Sequence, residues 1–237
     1  MKRSTTQSFK NVFDDFFAML YPTSCITCNG SIHRNEGLIC TLCQHQLPIT
    51  NYHQMPNNPL AQRFWGRFPF KHAFAYLKYI KHGKVQRMIH ALKYQGQEGL
   101  SELLGRWYGK ALKEKDFQQE IDLVLPIPLH KKRQKQRGYN QSDGFAKGLA
   151  EVLEIEWSPN CLKRVKASTT QTKKSRYNRW LNVKDLFVVD DGELVKGKHI
   201  LLVDDVITTG ATMEACAQVL LEADCASISL GAIASAK

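Results

Sequence analysis

An α/β fold with a parallel sheet, preceded by a small cysteine-rich module, is predicted from three features of the sequence. Short β-rich runs alternate with amphipathic stretches from about residue 73 onward. The runs Ile121–Pro126 and Lys198–Asp204 are continuously apolar, the pattern of strands buried on both faces. Four of the seven cysteines fall within residues 25–43. The 237 residues exceed a typical domain of about 150, which suits one full domain with an appended module.

Along the chain, Phe9, Val12, Phe13, Phe16, Phe17 and Leu20 form an amphipathic segment that Pro22 ends. Pro48, Pro56, Pro59, Asn57 and Asn58 give residues 47–60 a loop composition, so the boundary is placed near residue 60, dividing the chain into 1–60 and 61–237. Ala73–Ile80 reads as a strand. Val85, Met88, Ile89 and Leu92 put one apolar face on a helix Lys84–Tyr94. A second helix, Glu98–Lys115, is expected to turn Leu100, Leu103, Leu104, Trp107 and Leu112 inward. Ile121–Pro126 is a buried strand stopped by Pro126 and Pro128. Helical spacing returns in Gln141–Leu153 through Phe145, Leu149, Val152 and Leu153. Lys198–Asp204 is another strand, Ala211–Ala223 a helix and Ala226–Ala234 the last strand. Lys163–Asn182 is basic, polar and without apolar periodicity, either a lid or binding loop or a solvated surface excursion.

Composition narrows the class. An apolar fraction of 43% and a charged fraction of 23% exclude a collagen, a coiled-coil rod and a wholly disordered chain. No apolar run reaches the length of about 18 residues that a membrane-spanning helix needs. Asp14 and Asp15 interrupt the N-terminal apolar segment and no small-residue cleavage site follows, so a cytoplasmic protein without a secretory leader is expected. Thirty-three basic against 22 acidic side chains give +11, a balance that favours phosphorylated small molecules or nucleic acid as partners.

Cys25 and Cys28, then eleven residues, then Cys40 and Cys43 make a CxxC-x11-CxxC pattern. Two intervening residues let both thiolates of a pair reach one ion, and four thiolates complete the closed tetrahedral shell of structural zinc. Gly30 and Gly37 lie between the two knuckles, and His33 and His45 are superfluous to such a site. Cys161, Cys216 and Cys225 read as small apolar side chains.

The most informative string is His199-Ile-Leu-Leu-Val-Asp-Asp-Val-Ile-Thr-Thr-Gly-Ala-Thr212. A hydrophobic strand ends in Asp204 and Asp205, where ligands bind in parallel sheets. A turn of small residues then opens a helix, offering backbone N–H groups and the hydroxyls of Thr208, Thr209 and Thr212 to a phosphate dianion. The carboxylates suit ribose hydroxyls or a magnesium ion acting through its waters. A Walker loop and a GxGxxG dinucleotide fingerprint are both absent. An acidic phosphoacceptor cluster would leave the Thr-Thr-Gly-Ala-Thr turn unexplained.

This string resembles the signature of type I phosphoribosyltransferases. With the cysteine module, Leu92-Lys-Tyr-Gln-Gly96, Pro126-Ile-Pro-Leu-His130, Arg137-Gly-Tyr-Asn-Gln-Ser142 and Asn182-Val183 in the same order, the chain resembles the ComF family over nearly its whole length. The resemblance implies a type I phosphoribosyltransferase-like parallel sheet behind a zinc ribbon. It implies phosphoribosyl pyrophosphate and magnesium as ligands, with Asp204 and Asp205 as the catalytic pair on the ribose hydroxyls. Thr208, Thr209, Gly210, Ala211 and Thr212 then cradle the 5′-phosphate. Lys93, Arg133, Arg137, Arg164, Gln171, Arg176 and Arg179 are the candidates for pyrophosphate or another polyanion.

Two functions stay open on these residues. One is a phosphoribosyltransferase whose acceptor the sequence does not name. The other is a non-catalytic scaffold for single-stranded DNA, with Lys131–Arg137 beside Tyr139, and Lys163–Arg179 beside Tyr177 and Trp180, mixing cations with aromatics. Competence-machinery proteins are partners that the family implies.

Overall fold

The computed structural model describes residues 24–32, 36–165 and 186–236. The expected amphipathic segment at residues 9–20, His33, and residues 166–182 of the basic stretch lie outside them. Two compact units divide in sequence between Leu47 and Pro48.

The first unit is built on its cysteines. An antiparallel bridge joins Ser24 to Ser31. Asn29 takes the left-handed conformation at φ 60°, closing a tight turn in which Cys25 N–H donates to the Gly30 carbonyl at 2.8 Å. Helix α1 (Thr41–His45) starts immediately after Cys40 and buries Cys43.

The second unit begins earlier than the proline and asparagine content of residues 47–60 implies. Those residues are tied to strand β1 (Ala73–Lys78). Lys78 N–H donates to the Pro48 carbonyl (2.8 Å) and Thr50 N–H to that of Tyr76 (3.0 Å). The Asn58 side chain caps helix α2 (Pro59–Gln62) through Leu60 N–H and Ala61 N–H, and donates to the Ala73 carbonyl at 2.8 Å.

After β1 come helices α3 (Lys84–Tyr94) and α4 (Glu98–Lys113), then strand β2 (Leu123–Pro126). Helices α5 (Lys131–Arg137) and α6 (Gln141–Leu153) lead to the short strand β3 (Glu156–Trp157). Strands β4 (Leu162–Arg164) and β5 (Phe187–Val189) pair antiparallel as a separate ribbon. A short helix α7 (Gly192–Val195), strand β6 (His199–Ile207), helix α8 (Ala211–Glu222) and strand β7 (Ser227–Ser235) complete the chain. The sheet order is β1-β7-β6-β2-β3, every pair parallel.

Strand β6 runs three residues beyond its expected end at Asp204, because β7 is long enough to pair with it out to Ile207↔Ser235. Alternation along the strands divides the core. Ala73, Ala75, Leu123, Leu125, Ile200, Leu202, Ile228 and Leu230 pack with Leu60, Phe64, Leu162, Phe187, Met213, Cys216 and Leu220. On the other face Tyr108 of α4 meets Phe74 edge-on at 5.8 Å and stacks on Tyr76 at 5.0 Å.

Helices α4 and α6 approach more closely than an apolar stripe allows. Ser101 lies against Gly144, Gly105 against Gly148 and Gly109 against Val152, and a Cβ at Gly105 or Gly148 would run into the Phe145 or Glu102 carbonyl oxygen. Trp107 and Leu103, expected to face inward, are only half-buried as a result. Gly148→Ala is therefore expected to lose about 1–3 kcal/mol of stability despite the better helix propensity of alanine, read as a lower midpoint in urea with an unchanged slope.

Candidate functional site

The sheet contains one reversal of winding direction at its centre. From β2 the chain passes through α5 and α6 to β3 on one side, and from β6 it passes through α8 to β7 on the other. Neighbouring strands whose connections diverge leave a crevice beyond their carboxyl ends, where ligands bind in open α/β sheets. Pro126 and Val203 are the last paired residues of β2 and β6 there, and Asp204 and Asp205 follow.

Consecutive strand residues face opposite sides of the sheet, and the two carboxylates have separate surroundings accordingly. Asp205 Oδ2 lies 2.7 Å from Lys93 Nζ at the end of α3, with side-chain exposures of 13% and 22%. Asp204 Oδ1 accepts from Ser142 Oγ at 3.2 Å and from Asp205 N–H at 2.8 Å. Burial, reinforced by the Asp205 charge, pushes the Asp204 carboxyl up to about 7. Arg164 is half-buried on the β4–β5 ribbon, its guanidinium 5.3 Å from the Phe187 ring centre and its buried Nε without a partner among the described residues. Burial and the neighbouring Arg133 charge hold Arg164 below the usual arginine value, and Asp204 opposes that shift. Arg164 thus stands within electrostatic reach of both Arg133 and Asp204.

The segment Arg137–Ser142 stitches this region together. Gly138, at φ 83°, closes α5 in the left-handed conformation. Tyr139 Oη donates to the Leu92 carbonyl at 2.5 Å, and Gln141 Nε2 reaches the same oxygen at 3.2 Å. Asn140 caps α6 through Ser142 N–H and donates to the Ile127 carbonyl at 3.0 Å. Arg137 donates to Gln141 Oε1 at 2.8 Å and lies 5.9 Å from the Tyr94 ring centre. Helix α5 itself carries Lys131, Lys132, Arg133, Lys135 and Arg137 and buries nothing.

Thr208, Thr209 and Gly210 link β6 to α8. Gly210 is the cap of α8 at φ 78°, and Thr209 Oγ1 accepts weakly from Ala211 N–H at 3.4 Å. The first-turn N–H groups of a helix have no intrahelical acceptor. With the hydroxyls of Thr208 and Thr212 they make a concentrated set of donors within one short segment.

In the first unit, Cys25, Cys28, Cys40 and Cys43 place their sulfur atoms within 4.8 Å of one another. Cys40 N–H points to Cys25 Sγ and Gly30 N–H to Cys28 Sγ, each at 3.4 Å. His45 is exposed and stands outside this group.

Of the expected site residues, Asp204, Asp205 and Lys93 come together, and Arg164 lies within electrostatic reach of Asp204 and of Arg133. Arg137 is committed to Gln141 and Tyr94. Gln171, Arg176 and Arg179 lie outside the described residues. Ser142, Asn140 and Gln141 had no assigned role, and Tyr139 was named only as an aromatic beside the basic cluster. The only sequence signal for them was their place in the Arg137–Ser142 string.

The raised Asp204 carboxyl has a thermodynamic consequence. An acid with a higher folded than unfolded value takes up protons on folding between about pH 4 and 7, so its contribution to stability falls as pH rises through that window. Asp204→Asn keeps the Oδ1 acceptor and removes the charge. The variant is expected to match wild type near pH 4 and to exceed it by on the order of 2 kcal/mol at pH 8, checked by urea denaturation across that range.

A family model described as the phosphoribosyl transferase domain matches residues 142–237, the segment from Ser142 through β7. Competence protein F of Haemophilus influenzae is 30% identical over 206 residues, covering 83% of this chain and 90% of its own length. DNA utilization protein YhgH of Escherichia coli K12 is 28% identical over 207 residues, covering 86% of each chain. Competence protein ComFC of Bacillus subtilis is 27% identical over 205 residues, covering 84% of this chain and 78% of its own. The parallel sheet with its flanking helices is the type I phosphoribosyltransferase fold, a small four-cysteine module precedes it, and the chain belongs to the ComF family.

Proposed function

We propose that the chain binds phosphoribosyl pyrophosphate with magnesium in the crevice between β2 and β6 and acts as a phosphoribosyltransferase in the handling of single-stranded DNA during natural competence. One observation carries the ligand assignment. The Asp204–Asp205 pair and the Thr208–Thr212 donors stand at opposite ends of one short segment at the point where the sheet reverses its winding.

In this reading the two carboxylates accept hydrogen bonds from the ribose 2′- and 3′-hydroxyls, and the turn before α8 receives the 5′-phosphate dianion. Lys93 neutralises Asp205 in the free protein, so the pair opposes an approaching polyanion less than two bare carboxylates do. Arg164, whose neighbourhood includes the Arg133 charge, and Arg133 itself are described cations for the pyrophosphate. Lys93 and Arg137 and, from the basic stretch, Gln171, Arg176 and Arg179 complete the proposed set. The carboxylate oxygens and crevice fit a hydrated magnesium ion, which when bound supplies neutralisation of the pyrophosphate charge. Transfer breaks the C1–O bond, whose electron pair leaves on pyrophosphate, and forms a C1–N bond to the acceptor, whose proton passes to solvent. Cations preplaced at the leaving group favour the charge that develops there.

The four-cysteine group fits zinc. Thiolates about 2.3 Å from a zinc ion stand about 3.8 Å apart in a tetrahedron, and Cys28 and Cys40 Sγ are 3.9 Å apart. All four positions are filled by sulfur, so the ion's part is to hold the module.

The competence and DNA-utilisation names of the relatives, and the exposed basic face of α5, support a second reading, in which the fold is a scaffold for single-stranded DNA without turnover. The two differ in their salt response. DNA binding weakens with a log–log slope of about −0.7 per neutralised phosphate, whereas the small ligand depends on Asp204, Asp205 and magnesium.

Calorimetric titration of zinc-loaded wild type with phosphoribosyl pyrophosphate and magnesium is expected to show saturable binding that Asp204→Asn/Asp205→Asn weakens by at least about 100-fold. Folded wild type that takes up no ligand would leave the DNA scaffold as the reading. Metal analysis is expected to give one zinc per chain, lost on Cys25→Ser/Cys43→Ser.

A further inference from the structure

Two arginines that the sequence did not single out touch the turn before α8. Arg63, one residue past α2, donates to the Thr208 carbonyl at 3.0 Å. Arg67 donates to the Thr209 carbonyl at 2.8 Å through one nitrogen and to Glu214 Oε2 at 2.5 Å through the other. Between them the Phe64 ring lies beneath Gly210, where any Cβ would collide with it. The Arg67 guanidinium stands 5.5 Å from that ring.

These contacts fix peptide planes. In a trans peptide the carbonyl and the following N–H point in opposite directions, and the described residues contain no cis bond. An arginine holding the Thr208 carbonyl thus aims the Thr209 N–H away from itself, and one holding the Thr209 carbonyl does the same for the Gly210 N–H. The turn is otherwise loosely held, with Thr208 and Thr209 exposed. Glu214 adds an electrostatic reason. Its carboxylate sits in the first turn of α8, where it favours the helix but opposes a dianion. Pairing with Arg67 cancels that opposition.

We infer that Arg63 and Arg67 are positioning residues: they set the Thr208–Gly210 turn with its N–H groups outward and so prepare it for a phosphomonoester such as the 5′-phosphate of a ribose phosphate. The inference rests on the ligand reading proposed above. It makes the anion specificity of this end of the crevice depend on residues held from behind the turn rather than on side chains reaching the phosphate.

The test uses wild type, Arg63→Met, Arg67→Met, Arg67→Lys and Glu214→Gln as full-length zinc-loaded proteins. Ribose 5-phosphate, pyrophosphate and magnesium phosphoribosyl pyrophosphate are titrated by calorimetry. Amide hydrogen exchange of peptides spanning residues 206–214 is read without ligand. Each Met variant is expected to bind ribose 5-phosphate about 10-fold more weakly, to bind pyrophosphate unchanged, and to exchange faster in 206–214 alone. Arg67→Lys recovers part of the affinity, and Glu214→Gln, which keeps the bond to Thr209, loses none. Arg63→Met removes a single bond and serves if Arg67→Met fails to fold. Variants that bind and exchange like wild type overturn the positioning role while the ligand reading stands. Weaker binding with unchanged exchange also overturns it, since the arginines then act by charge alone. Wild type that binds neither ribose 5-phosphate nor phosphoribosyl pyrophosphate removes the ligand reading, and this inference with it.

Discussion

A pleated strand cannot point two consecutive side chains the same way, and the architecture around Asp204 and Asp205 follows from that constraint. Each carboxylate leaves the sheet on its own side and needs its own partner. One side brings the end of α3, where Lys93 stands against Asp205. Asp204 receives Ser142 from the start of α6, with Arg164 nearby. The pair is asymmetric in consequence: one member is neutralised by a cation, the other is held by neutral donors and resists ionisation. A buried carboxylate of this kind works against the stability of its own fold, because the desolvation of its ionised form outweighs the cations nearby.

Much of the fold was legible because its strands are buried on both faces and its helices are amphipathic. Val85, Met88, Ile89 and Leu92 are all buried in α3, as their spacing implies. The contact between α4 and α6 was illegible for the opposite reason: Ser101, Gly105 and Gly148 contribute almost no hydrophobic signal, so Trp107 and Leu103 were read as the inner face instead. Helix α5 has no apolar residue, and its limits are set by the His130 cap and by Gly138. Strands β4 and β5 are three residues each, too short for a period to show. The boundary near residue 60 misread Asn58, whose side chain is a buried cap and cross-link rather than a linker residue.

At the site, local chemistry was readable and distant support was not. The acidic pair and the Thr-Thr-Gly turn are contiguous, so they stand out in the sequence as one candidate unit at a strand end. Arg63 and Arg67 stand more than 140 residues away from the carbonyls they hold. Lys93 and Arg137 were read as candidates for a polyanion, and nothing in the sequence showed that Lys93 would stand against Asp205 or Arg137 against Gln141 in the free protein. A solvated charge and a paired one look alike in a sequence. Only the topology that brings α3 and α6 to the end of β6 separates them.

The hydrogen bonds of residues 139–142 also bear on how the molecule assembles. One tetrapeptide reaches the Leu92 carbonyl in α3, the Ile127 carbonyl after β2, and Asp204 in β6. Those acceptors belong to three parts of the chain spread over more than a hundred residues, and none is near the others until the sheet has formed. Contacts of such long sequence separation form only after the intervening loops have closed. The crevice therefore cannot be complete before those loops have closed. A partly folded chain with its helices formed but its central strands unpaired lacks the crevice, so the geometry of the candidate site depends on the same strand pairing as the core.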